Sequence, residues 1–444
     1  CGLSKTPAKR NLIVPRVGEH TEYLESLSSS SQTPSPSELP NSAAQSPTGP
    51  LRGMRILDMG WVWAGAIPGQ ILADMGAEVI KVEPPGGDPI RQWREVKDGT
   101  SLWWRSLGRN KKCISLDLKT EQGRGVVRKL LESADVVIEN FRPGVLEDWG
   151  LDQGSLKREN PKLIYARISG YGQTGPYSKK PGFASACEAI SGFRYVNGHP
   201  DQAPVRPNLS IGDTVSGMHA VIGIMMALWS RDKGNSDGQV VDVALYESMF
   251  NLLEAVVPEY DGANVIRQPS GTTVTGIVPT NTYKCADGKF LVIGGNGDSI
   301  FSRLMTAIGR NDLALSSEYN SNLKRVAHEA EIDQILASWC SQHSLENAMA
   351  ILERDKIPCG PVYSVVDMMS DQHFNARGLF EQVEINGEPL KIPAIMPKLA
   401  DTPGGTDWAG PNVASHTDEI LESIGLTNNE ISDLKISRVV TDSV

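Results

Sequence analysis

The sequence predicts an α/β protein: a mostly parallel, doubly wound sheet with a smaller α+β domain inserted into it. Three observations carry this reading. Short apolar runs alternate with helix-period segments from Arg55 to Ala255, the pattern of strands joined by helical crossovers. Near Gly262 the texture changes to a hairpin followed by helices. A Ser/Pro-rich stretch at 28–50 separates all of this from the residues before it.

The elements follow in order. Arg55–Met59 (RILDM) is a short apolar strand, and Ala64–Met75 has helical spacing that stops at Gly76, a residue suited to a C-cap. Ala77–Val82 and Ile114–Leu118 are strands, and a helix runs through Gly123–Ser133. Ala134–Glu139 and Leu163–Ser169 are two more strands. Gly217–Arg231 is a strongly apolar helix, and Val240–Ala255 begins as strand and turns into helix. Thr282–Lys284 and Phe290–Gly294 read as hairpin strands around Asp287-Gly288. Ile300–Gly309, Glu329–Ser341 and Ser344–Asp355 read as helices. The large domain is therefore expected at 51–261 and 376–444, with the small domain at 262–375.

Residues 28–50 are nearly devoid of large apolar side chains. They cannot offset their ordering entropy and read as a disordered linker. Pro15–Leu24 and Pro411–Ile420 share the pattern Pro-x-Val-x-x-His-Thr-acid-x-aliphatic. A repeat on either side of a linker implies tandem units, so residues 1–27 read as the tail of a preceding homologous unit.

Composition narrows the function. The 444 residues carry a net charge of −10 and the pI is about 5.3. That argues against nucleic acid as the main partner, which needs a basic surface, and leaves room for a local basic pocket. Six cysteines, at 1, 113, 187, 285, 340 and 359, form no CxxC pair. Such spacing in a large chain reads as reduced thiols in a cytoplasmic protein. No run approaches the ~20 apolar residues of a membrane span, so no membrane partner is expected. The seven histidines show no metal-ligand spacing. Neither GxGxxG, GxxxxGK[ST] nor Gly-x-Ser-x-Gly is present.

Other segments carry a stronger signal. Trp63-Ala64-Gly65 lies in the first strand-helix turn, followed by LADMGAEVIKVEPPGGDP at 72–89. Gly108-Arg109-Asn110-Lys111-Lys112, LDLKTEQG at 116–123 and ADVVIENFRPG at 134–144 come next. GYGQTGPY at 170–177, Gly182-Phe183, GDTVSGMHAVIGIMMAL at 212–228, IPCGPV at 357–362 and His416-Thr417-Asp418 complete the set. In this order they make residues 51–444 resemble the class III (CaiB/BaiF) CoA-transferases.

The resemblance implies the class III CoA-transferase fold and an interlocked dimer. Its partner is either a second copy or a homologous upstream unit. It also implies a covalent mechanism on one carboxylate, which corresponds to Asp213. Read from the residues alone, Asp213 is an N-cap of the helix that follows; the resemblance makes it the nucleophile, kept anionic by the helix N-terminus. Coenzyme A or acyl-CoA is the implied co-substrate, with a small-molecule carboxylate as the other. Trp63, Ala64, Leu116, Lys119, Asn140, Phe141 and Arg142 match CoA-lining positions. Lys119 and Arg142 suit phosphates, although Lys119 reads equally well as a solvated lysine. Pro84-Pro85 stands where relatives often carry an arginine near the adenine, so Arg109, Lys111 or Lys112 is the candidate replacement. Gly170, Gly172 and Gly212 are candidates for oxyanion-stabilising backbone.

Racemases of the same fold use a His–Asp pair and a Glu; here Phe183 and Lys284 occupy the His and Glu positions. Within the family, the tandem arrangement resembles that of the fused dimethylsulfoniopropionate CoA-transferase/lyases, whose C-terminal unit this chain would be. The resemblance implies CoA transfer from an acyl-CoA, acetyl-CoA by expectation, to the sulfoniopropionate. Loss of dimethyl sulfide then leaves acryloyl-CoA or 3-hydroxypropionyl-CoA. Trp61, Trp103 and Trp104 could form a cage for the sulfonium or could be ordinary packing. Tyr171 and Glu188 are further substrate candidates, with Glu188 either near the acyl group or on a helix surface. The alternative is a transferase for a carnitine-like or dicarboxylic acid without lyase chemistry.

Overall fold

A computed structural model of the chain describes residues 2–4 and 49–441. The expected linker and upstream tail therefore lie almost wholly outside the described residues. The chain divides into two compact units. The first comprises 1–168, 217–243 and 395–444; the second comprises 169–216 and 244–394. These bounds differ from those read in the sequence, because 169–216, 244–261 and 376–394 all group with the second unit.

The elements that matter are β1 (Gly2–Leu3), β2 (Arg55–Asp58), α1 (Val62–Asp74), β3 (Glu78–Glu83), β4 (Lys111–Ser115), α2 (Glu121–Glu132), β5 (Val136–Glu139) and β6 (Ile164–Ser169). After them come α3 (Ala184–Ile190), α4 (Ile211–Asp232), β7 (Val240–Ala244), β8 (Thr280–Lys284), β9 (Phe290–Gly294), β10 (Cys359–Pro361), β11 (Phe380–Ile385) and β12 (Glu388–Pro393).

The first unit is built on a seven-stranded sheet in the order β1-β7-β6-β5-β2-β3-β4. The pairs β2–β3, β3–β4, β2–β5 and β5–β6 are parallel, and β1 meets β7 antiparallel. These strands are mostly apolar and covered on both faces, as parallel strands must be, with a few charges buried among them. On one face, Leu57, Ile80, Ile114 and Val137 pack with Val127, Leu130 and Leu131 of α2 and with Ile420, Leu421 and Val439 from the C-terminal segment. On the other, Ala66 and Ile67 of α1 pack with Ile90, Trp104, Leu107 and Cys113.

Two elements begin earlier than their hydropathy suggests. β4 covers 111–115 rather than 114–118, because its first residue, Lys111, is buried with Asp58 at 2.9 Å and so reads as polar while lying in the sheet. α4 starts at Ile211, ahead of Gly217. An 18-residue window of its 22 residues reaches a mean hydropathy of 1.4, so by length and composition it could cross a membrane, unlike any run picked out in the sequence. Ile, Val and Met supply much of that character, and Ser216, Gly217, Ala220, Ile224, Ala227 and Leu228 form its buried stripe.

In the second unit β8 and β9 pair antiparallel and β10 joins β9. Helices Asp298–Ala307, Glu329–Cys340 and Leu345–Arg354 supply Phe301, Leu304, Leu336 and Leu352 to its core. The hairpin β11–β12 escaped the sequence reading. Its turn at Asn386-Gly387, both at positive φ, is the legible signal that could have found it.

Candidate active site

The first unit's sheet grows outward from β2 to β3 and β4, then returns to β5 and grows the other way. Open α/β sheets bind ligands at such a switch point, outside the carboxyl ends of the strands. The segments leaving those ends here are Met59–Trp63 and Asn140–Arg142. They are tied together: the Trp61 amide donates to Asn140 Oδ1 at 2.6 Å, and Asn140 Nδ2 donates to the Trp61 carbonyl at 2.9 Å. A side chain on Gly65 would come within 2.7 Å of Asn140, so this closeness needs glycine. Val62 holds φ 57, a strained conformation for a β-branched residue. Its amide is fixed by Asp88 at 3.1 Å, and that of Gly60 by Asp58 at 3.0 Å. Beneath them Lys81 bonds the Gly60 carbonyl, and Lys111 bonds the Ala66 carbonyl at 2.7 Å. Asp58, Lys81 and Lys111 are all fully buried, a network that tolerates burial because every member is paired.

The expected CoA residues are distributed unevenly around this crevice. Trp61 and Phe141 stand edge to face at 6.0 Å, and Trp63 lies 4.3 Å from Trp103. Ala64 is buried in α1. Glu139 accepts the Phe141 amide at 2.7 Å and Arg167 at 2.6 Å, which sets the loop. Lys119 and Arg142 are exposed. Leu116 is fully buried among the core side chains and its amide is spent on the Glu83 carbonyl, so its side chain cannot line a site.

Other expectations are corrected. Trp104 is fully buried, with Nε1 on the Pro411 carbonyl at 2.8 Å and the Arg91 guanidinium 3.9 Å over its ring. It offers no face to a sulfonium. Arg109 is buried against Asp74 at 2.7 Å, Lys111 is held by Asp58, and Lys112 bridges Glu78 and Glu419. Each is committed to a carboxylate of the fold rather than to an adenine.

The second unit holds the other group. Asp213 lies in the first turn of α4. Burial pushes its carboxyl up to about 7, Glu188 adds to this, and Arg206 pulls the other way. Glu188 sits on α3 and is fully buried, not on a helix surface. Its Oε2 accepts Arg194 at 2.9 Å and its Oε1 accepts the Gly212 amide at 3.3 Å. This carboxylate is thus held in place beside the residue that precedes Asp213, and its charge is already met. Cys187 gives its thiol to the Gly170 carbonyl at 3.3 Å. Burial first, then Asp213 and Glu188, push that thiol up to about 11. Tyr171 meets Tyr177 edge to face at 6.0 Å and lies tilted against Tyr246 at 5.9 Å. Of the three candidate glycine amides, Gly172 is bonded to Ser169 and Gly212 to Glu188. Gly170 packs Cα to Cα against Gly182, where a side chain would meet backbone at 2.8 Å. Arg194 and Arg206 escaped the sequence reading, since both lie in a stretch with no motif.

The comparisons give the class of protein. The model of CoA-transferase family III matches residues 51–417, and the chain belongs to that family. It is 42% identical over 403 residues, 90% of this chain and 100% of the relative, to the succinyl-CoA–D-citramalate CoA-transferase of Chloroflexus aurantiacus. The alpha subunit of the succinyl-CoA–L-malate CoA-transferase of that organism is 35% identical over 455 residues, 98% of this chain and 100% of its own length. Among solved structures, a CaiB/BaiF family protein from Brucella suis superposes with a TM-score of 0.74 at 33% identity, covering 85% of this chain and 100% of that one.

Proposed function

We propose that this chain moves CoA from a dicarboxylic acyl-CoA, with succinyl-CoA as the leading donor, to a second dicarboxylate. The observation that carries the chemistry is Asp213. It is a half-buried carboxylate at a helix N-terminus, and among the described residues no hydrogen bond blunts its nucleophilicity. The substrate class is supported by relatives named for succinyl-CoA with D-citramalate, L-malate and mesaconate, and for succinate with glutarate. The sulfoniopropionate reading has no such support, and Trp104 and Glu188 are both occupied elsewhere.

The steps balance as follows. Asp213 attacks the donor carbonyl, the C–S bond breaks, and CoA leaves as thiolate with a mixed anhydride behind it. The thiolate attacks the aspartyl carbonyl and expels the donor carboxylate, leaving an aspartyl-CoA thioester. The acceptor carboxylate attacks this thioester, and the released thiolate takes the acceptor acyl group and frees Asp213. Every step builds negative charge on a carbonyl oxygen, which oriented amides stabilise; the Gly170 amide suits this task. The switch-point loops hold the nucleotide and pantetheine, and Lys119 and Arg142 meet the phosphates.

The malate enzyme's chains are named alpha and beta subunits. Exposed Met218, Ile222, Met225, Met226 and Trp229 form one stripe of α4, and we infer that a second copy of this chain covers it.

Mass spectrometry after mixing with succinyl-CoA should find a CoA adduct on the peptide holding Asp213. The Asp213→Ala enzyme should lose transfer to D-citramalate, L-malate, glutarate and mesaconate alike. Full turnover by that variant would overturn the nucleophile. Dimethyl sulfide released from the sulfoniopropionate would restore the lyase reading.

A further inference from the structure

We propose that Arg206 is the receptor for the distal carboxylate of the acceptor acid. The inference rests on the dicarboxylate reading above and assigns that specificity to one side chain.

The argument begins with what Arg206 touches. Its Nη1 donates to Ser185 Oγ at 2.8 Å, its Nη2 to the Leu209 carbonyl at 3.3 Å and its Nε to the Pro207 carbonyl at 3.3 Å. All three partners are neutral. A guanidinium has five N–H donors in a planar fork, so one donor on each terminal nitrogen remains. Two such donors are what a carboxylate accepts in bidentate fashion. Arg206 is exposed, so an acid can reach it.

Its position follows from Ser185. That residue neighbours Ala184 in the first turn of α3, and Ala184 Cβ comes within 3.4 Å of the Cβ position at Gly212, the residue before Asp213. The anchor of Arg206 and the nucleophile therefore rest against the same helix. Arg206 also lowers the Asp213 pKa, as a cation within reach of its charge does.

Two other cations of this segment are engaged elsewhere. Arg194 is paired with Glu188, and Lys180 lies 3.5 Å over the Tyr177 ring. Arg206 makes no ion pair among the described residues. When Asp213 is converted to its CoA thioester it loses its charge, and Arg206 is then left facing no anion. That is the stage at which the acceptor must bind. A second carboxylate on the acceptor supplies the missing charge and orients the first toward the thioester.

The test compares succinate with butyrate, an acid of equal chain length that lacks the distal carboxylate. Both are offered as acceptors with one CoA thioester donor at pH 8.5, where Asp213 is ionised. Wild type should favour succinate. Arg206→Gln should lower kcat/KM for succinate at least ~30-fold more than for butyrate, the scale of an unpaired charge contact. Arg206→Lys should recover part of the preference, and melting curves should show both variants folded. If Arg206→Gln loses both acids equally, Arg206 acts on Asp213 itself and the proposal falls while the dicarboxylate reading stands. Wild type that uses butyrate as well as succinate would overturn both.

Discussion

Asp213 is held between two opposing influences. The helix N-terminus favours its anion, while burial and the charge of Glu188 favour its proton, and the outcome is a pKa of about 7 against an ordinary 3.8. Nucleophilic attack needs the anion, so kcat/KM should fall as pH drops through about 7. Glu188→Gln keeps an oxygen for the Gly212 amide but removes the charge. It should move that acid limb to lower pH, and an unmoved limb would show that Glu188 does not tune the nucleophile. The same shift bears on stability. A carboxyl whose folded pKa is raised binds its proton more tightly folded than unfolded, so stability falls as pH rises from about 4 to about 7. Asp213→Asn should therefore melt higher than wild type at pH 8, with the gap closing near pH 4. At this scale the sequence disclosed Asp213 only through the motif around it. Arg194 and Arg206 could not be found, because a guanidinium's role is set by which carboxylates lie near it in space.

The loops after β2 and β5 are precise because buried charges position their backbones. Glu139, raised to about 7 chiefly by burial, stays useful only while Arg167 meets it at 2.6 Å. Arg167→Met should cost about 3–5 kcal/mol in urea unfolding, the penalty for stranding a buried acid. Asn140→Ala removes both ties to Trp61, each worth about 1 kcal/mol. It should raise KM for the acyl-CoA more than it lowers kcat. The elements themselves were largely legible: β2, α1, β3, α2, β5 and β6 fall within one or two residues of their apolar runs. The late starts expected for β4 and α4 share a cause. Lys111 in β4 and Gly212 in α4 look like interruptions until their partners, Asp58 and Glu188, are seen, and both partners are distant in sequence.

For the whole molecule, the alternation of apolar runs with helical segments was enough for a parallel doubly wound sheet. It was not enough for the division into units. Residues 169–216 carry the glycines and prolines of connecting chain, and nothing in their composition tells which core they serve. The exposed stripe on α4 makes a further prediction: Trp229→Asp should shift the chain from dimer to monomer in light scattering, and an unchanged mass would remove α4 from the interface.

Both units are assembled from separated stretches of chain, and the first closes only with residues 395–444. Ile420, Leu421, Val439 and Val440, all in its main core, are made after every residue of the second unit. The nascent chain thus completes the whole second unit, Asp213 included, while the first unit's sheet still shows a bare apolar face. A stop codon shortly before Thr417 should accordingly give an insoluble product rather than a weak enzyme.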